Sequence, residues 1–176
     1  FYQLECFHLS LLLFLFLLCI ENFDSLAKAE PPFREEEDRQ ELVSGIMDKT
    51  IDSISTGHQA LSFHDKSKEF DLAPSGTIGL ENAFLQAVEV IDSPIDEKLL
   101  TLAKTMSYNP SKILNIEPTS FKTGACADFF IFDINAETTL RRENEEIGGV
   151  NLPFKEKKFA GRVCKTFVNG KISYPG

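Results

Sequence analysis

Positive charge is scarce in this sequence: 18 lysines and arginines face 27 aspartates and glutamates, for a formal net charge of −9. That balance excludes a nucleic-acid binder, since no basic patch exists to release phosphate counterions. Histidine is nearly missing, with only His8, His58 and His64. The four cysteines, Cys6, Cys19, Cys126 and Cys164, show no Cys-x-x-Cys spacing, so they spell no thiolate metal site and read as core residues. No glycine-rich phosphate loop, Ser-His-Asp set or internal repeat occurs. The apolar run 9–20 carries no charge but is twelve residues long, against the roughly twenty that a membrane helix needs. With 43% apolar residues the chain is globular rather than disordered.

What is present concentrates in residues 30–81. Pro31-Pro32 forces an extended entry. Glu35, Glu36, Glu37 and Asp38 suit the first turn of a helix, whose exposed N–H groups favour negative charge. Leu42, Val43, Ile46 and Met47 follow at helical spacing. Residues 50–56 are β-branched and alternating, which predicts a short strand ending in Thr56-Gly57-His58. Strand ends of this kind carry the chemistry in parallel α/β barrels.

In this stretch the sequence resembles the dihydroorotases of the cyclic amidohydrolase group. The matching residues are Pro31-Pro32-Phe33-Arg34, Lys49-Thr50-Ile51-Asp52, Thr56-Gly57-His58, and the run from Phe70-Asp71 through Ala73-Pro74-Ser75-Gly76 to Gly79-Leu80-Glu81. Order and spacing both fit that family. The resemblance implies an α/β fold: the C-terminal part of a metal-dependent-hydrolase (β/α)8 (TIM) barrel over residues 1–118, then part of a small β-sandwich over 119–176. It also implies a place in pyrimidine biosynthesis, a cytoplasmic setting, and zinc in the family. The family's first-strand His-x-His pair and carboxylated lysine fall upstream of this sequence.

The departures fall on the chemistry. The family's aspartate, a metal ligand and proton acceptor, corresponds to Gly57, which has neither an oxygen nor a base to offer. Substrate-contacting histidine and asparagine positions hold Leu61 and Glu30, and the aromatic of Ala-Pro-Phe-Gly is Ser75. Phe7, or His8 if the register slips by one, falls on the family's histidine ligand. The resemblance therefore implies a vestigial substrate pocket of Glu30, Arg34, His58, Leu61, Pro74 and Gly76. No catalytic set is intact, and no metal is expected on this chain. Three functions follow as expectations. The first is an inactive dihydroorotase-like scaffold for aspartate transcarbamoylase, with homo-oligomerisation open and no membrane or nucleic-acid partner. The second is a zinc enzyme active only when longer, and the third a non-functional remnant.

Elsewhere the expectations are structural. Residues 9–20 read best as a barrel strand and the element after it, ahead of a signal peptide or a membrane segment. Residues 62–69 read as a polar surface loop, in which His64-Asp65 is a solvated pair. Leu80, Ala83, Phe84, Ala87 and Val88 form the apolar stripe of one helix. Pro94 opens another, with Leu99, Leu100, Leu102, Ala103 and Met106 as its buried side. Residues 109–114 start a short helix. Residues 129–132 are a buried strand, 141–146 a charged mobile loop, and 159–174 a hairpin turning at Asn169-Gly170, with an exposed sheet edge.

Overall fold

The computed structural model describes residues 9–10, 23–140, 149–153 and 156–175. The readings of 11–20 and of the 141–146 loop lie outside them. Strand β1 (Leu9–Ser10) runs parallel to β2 (Ile54–Ser55), with Leu9 opposite Ile54 and Ser10 opposite Ser55. An isolated parallel bridge joins His58 to Thr77. Helix α1 (Glu36–Met47) carries Glu36, Glu37 and Asp38 in its first turn, as its sequence predicts. Arg39 grips Glu36 through its guanidinium, and Gln40 donates to the same carboxylate. Together they hold the Glu36 carboxyl at about 2, far below the usual range. The β-branched stretch 50–56 yields only the two residues of β2. Ahead of it the chain bends inward, where the Ile51 N–H donates to Gly45.

Helix α3 (Ala83–Val90) is the centre of the packing. Its Ala83, Ala87 and Val88 meet Ile46, Ile51, Ile54, Ile91 and Leu102 in one cluster. Its Leu85 enters a second cluster with Phe33, Ile78, Leu140, Leu152 and Phe159. A helix apolar on both flanks is one that must be covered on both. Leu80 does not join this stripe: it is 67% exposed, because α3 begins three residues later.

Pro94 caps α4 (Ile95–Ala103) from just outside rather than occupying its first turn. A π-helical turn, Lys104–Tyr108, leads into α5 (Asn109–Ile113). Leu99 and Met106 pack on the core and Leu102 is buried, but Leu100 is 58% exposed and Ala103 faces solvent. The inner face is thus narrower than the apolar pattern predicts. The loop reading of 62–69 also needs correction. It contains a one-turn helix, α2 (Phe63–Lys66), whose last residue is buried.

Strands β3 (Phe129–Leu140), β4 (Lys157–Val168) and β5 (Lys171–Pro175) form an antiparallel sheet in the order β3-β4-β5. Asn169 and Gly170, at φ 51° and 74°, make the tight turn expected of them. β3 is longer than the four residues expected, and it is not buried: Phe130 and Ile131 are 45% and 47% exposed. One face packs on α3, where Phe84 meets the Phe130 and Phe132 rings edge-on at 4.9 and 5.0 Å. Phe132 needs Gly161 opposite. A Cβ there would sit 2.0 Å from the ring, and φ is +89°. Among the described residues no helix is long and apolar enough to cross a membrane.

Candidate functional site

The loops that follow β2 and precede α3 lie side by side. Gln59 N–H donates to the Thr77 carbonyl at 2.9 Å, extending the His58–Thr77 bridge. Gly57 stands at φ +55°, the left-handed region open to glycine and, among other residues, best tolerated by asparagine and aspartate. The backbone therefore keeps a shape an aspartate would accept, while the side chain is missing.

His58 is half-buried and occupied. Its Nδ1 accepts from the N–H groups of Gly79 and Leu80 at 3.2 and 3.3 Å. With Nδ1 as the acceptor, the proton of the neutral ring sits on Nε2. Neither nitrogen then offers a lone pair to a metal. The histidine pins the start of the α3 loop, a role its lone appearance in sequence does not reveal.

Leu61 and Gly76 come together through Asn151, which sequence reasoning missed. Asn151 is fully buried. Its Oδ1 accepts from Leu61 N–H at 2.8 Å, and its Nδ2 donates to the Gln59 and Gly76 carbonyls at 2.7 and 2.9 Å. Its carbonyl takes the Ile78 N–H at 3.2 Å. One amide thus fastens both loops, from 75 to 92 positions away in the chain. Glu30 and Arg34 are exposed. Among the described residues, no hydrogen bond or ion pair ties either side chain to this cluster. Phe7 and His8 lie outside the described residues.

A second missed residue is Lys66, 3% exposed. Its Nζ donates to the carbonyls of Ser25, Lys28 and Pro74 at 2.7, 3.2 and 3.0 Å. Lys28 does likewise toward Phe70, Asp71 and Ala73, at 2.8, 3.2 and 2.9 Å, and its own carbonyl takes the Gly76 N–H. Burial, helped by the like charge of Lys28 and opposed by Asp24, lowers the Lys66 pKa from 10.5 to about 8. In the unfolded chain the amine stays charged to 10.5, so between these values the unfolded state binds more protons. The cost of the buried charge is full below about 8 and is relieved as pH rises toward 10.5. Wild type is expected to gain on the order of 3 kcal/mol over Lys66→Met across that window. Urea melts of both proteins measured at both ends check this; a constant difference would contradict it.

Zinc requires three or four deprotonated N, O or S ligands. Among the described residues no three His, Cys, Asp or Glu side chains gather closely enough to hold a metal ion. Of the described residues at the strand end, Gly57 offers no ligand atom and His58 Nδ1 is already engaged by two N–H groups.

No family model matches the chain. It is 39% identical to a dihydroorotase from Elusimicrobium minutum over 155 residues, covering 86% of this chain and 35% of that protein. It is 36% identical to a dihydroorotase from Clostridium acetobutylicum, covering 88% and 37%. The chain thus spans little more than a third of the length of these relatives. Among solved structures, the dihydropyrimidinase from Brevibacillus agri superposes with a TM-score of 0.79 at 19% identity, over 93% of this chain and 37% of that one. The L-hydantoinase from Arthrobacter aurescens gives 0.77 at 21%, over 94% and 38%. At such identities the likeness shows the fold alone, a portion of a TIM barrel.

Proposed function

Because this chain is a partial relative of the dihydroorotases, we propose that it is a dihydroorotase-like polypeptide whose own residues do not hydrolyse the cyclic amide. The observation that carries this reading is the state of the strand-end pair. Gly57 supplies no carboxylate, and His58 spends its acceptor nitrogen on two backbone N–H groups. Loss of a general base alone costs about 10²–10⁴-fold, and in the resemblance this carboxylate is also a metal ligand.

The scaffold survives where the chemistry does not. Asn151, Lys66 and His58 hold the loop cluster in place with buried or half-buried hydrogen bonds, and none of them needs a reaction to justify it. A role in holding a partner, with aspartate transcarbamoylase as the candidate, draws support from the outer surface. An open apolar groove of about 1020 Å³ runs between α4–α5 and β3, lined among others by Leu99, Met106, Tyr108, Phe129 and Phe130.

The test is a direct assay of the purified chain with added zinc, reading ring opening of dihydroorotate and the reverse closure of carbamoyl-aspartate. No turnover above the uncatalysed rate is expected. Zinc-dependent turnover abolished by chelation would end the inactive reading. In the same preparation, aspartate transcarbamoylase is expected to co-elute on gel filtration; separate elution would remove it as a partner.

A further inference from the structure

Lys66 presents an arrangement that the catalytic reading leaves unused. Its ammonium is buried without a hydrogen-bonded carboxylate and is satisfied by three backbone carbonyls, two from residues 25–28 and one from Pro74. An ammonium has three N–H donors, and here there are three acceptors, so the group is saturated. Ser25 returns the contact, its hydroxyl donating to the Lys66 carbonyl. Converging backbone carbonyls are what proteins use in place of water around a bare monovalent cation. Burying this charge is costly, as its lowered pKa records. Its contribution is therefore one of position rather than net stability, the case argued for buried charges that specify geometry.

We propose that Lys66 is a tethered cation in a carbonyl cage, a positioning residue that sets the 70–79 loop against residues 25–28, and that without its side chain the cage is a site for a free monovalent cation, ammonium or potassium. The inference does not depend on whether the chain turns over a substrate. Lys66→Ala opens the cage, whereas Lys66→Met fills it with an uncharged chain of similar length. Both variants lose the three donors.

Limited proteolysis within 67–79 is expected to run roughly tenfold faster in both variants than in wild type, with global unfolding midpoints changing far less. Ammonium or potassium chloride is expected to slow cleavage of Lys66→Ala by about threefold relative to choline chloride at equal ionic strength, as occupancy of an opened site requires. Lys66→Met and wild type should show no such preference. Wild-type protection retained in Lys66→Met would overturn the proposal, since packing alone would then hold the loop. Equal rescue by choline would overturn the cage. If Lys66→Ala does not fold, wild type still decides: a lysine ammonium signal protected from exchange near pH 7 in ¹⁵N NMR, absent in Lys66→Met, is required, and its absence from wild type refutes the assignment.

Discussion

Phe159→Ala is expected to lower the free energy of unfolding by about 3–5 kcal/mol, the largest effect of any single truncation in this chain. Phe159 is 1% exposed and lies in the cluster with Phe33, Ile78, Leu85, Leu140 and Leu152. These residues come from a loop, a helix and the sheet, so no single element can move to fill the space left behind. Where the surroundings cannot collapse, the cavity cost adds to the lost transfer energy. Lys157 also lies over the ring, its Nζ 4.7 Å from the centroid, and that contact disappears as well. Phe159→Leu, which keeps more of the volume, should lose less than half as much. Urea denaturation followed by circular dichroism reads both. A loss below about 1 kcal/mol for the alanine variant, within the range of ordinary surface changes and small repackings, would show that the cluster is not a tight core.

Asn151→Asp is expected to be at least as damaging as Asn151→Ala, each costing on the order of 3 kcal/mol. The alanine strands Leu61 N–H and the carbonyls of Gln59 and Gly76 without their side-chain partners. Buried polar groups left unmet cost about 1–3 kcal/mol apiece. The aspartate keeps an acceptor for Leu61 but replaces a donor amide with an oxygen facing two carbonyl oxygens. It must either take up a proton or repel both. Its stability should therefore improve as pH falls toward the carboxylate range, which the alanine variant's should not. Equilibrium unfolding of both variants at two pH values separates these outcomes. Hydrogen exchange should show the Leu61 and Ile78 amides losing protection first. An aspartate variant as stable as wild type at neutral pH would mean that the Asn151 amide does not make these bonds.

How far the sequence discloses this arrangement depends on how local each signal is. The acidic start of α1 and the Asn169-Gly170 turn are written in neighbouring residues, and both are found where they are expected. Resemblance carries the chain to the right fold. Local periodicity overreaches at Leu80, whose N–H is taken by His58 in the loop before the helix starts. It overreaches again at Leu100 and Ala103. There Leu99, Leu102 and Met106 form the inner face, and Leu100 and Ala103 each stand one position further round the helix, on its exposed flank. The Phe129–Phe132 run reads as buried because it is apolar throughout, but only its α3-facing side meets another layer.

The candidate site shows a sharper division. Gly57 is visible as a departure because a motif surrounds it. Asn151 is not visible, since it has no pattern of its own and its side chain acts on residues at least 75 positions distant. Lys66 reads as one more polar residue of a loop. Nothing in its neighbourhood says that it is buried, because the groups that draw its ammonium inward are backbone carbonyls. Backbone acceptors leave no trace in sequence, so a lysine held only by them is recognised only once the chain is folded.

The central helix has one more consequence. Ala87 and Leu85 sit on opposite flanks of α3 and enter different clusters, and Phe132 packs against both. No cut between the earlier helices and the later sheet would leave α3 with both walls. Heat or denaturant should accordingly melt helices and hairpin as one unit. A ribosome releasing this polypeptide would have no finished intermediate to show until Phe159 had emerged.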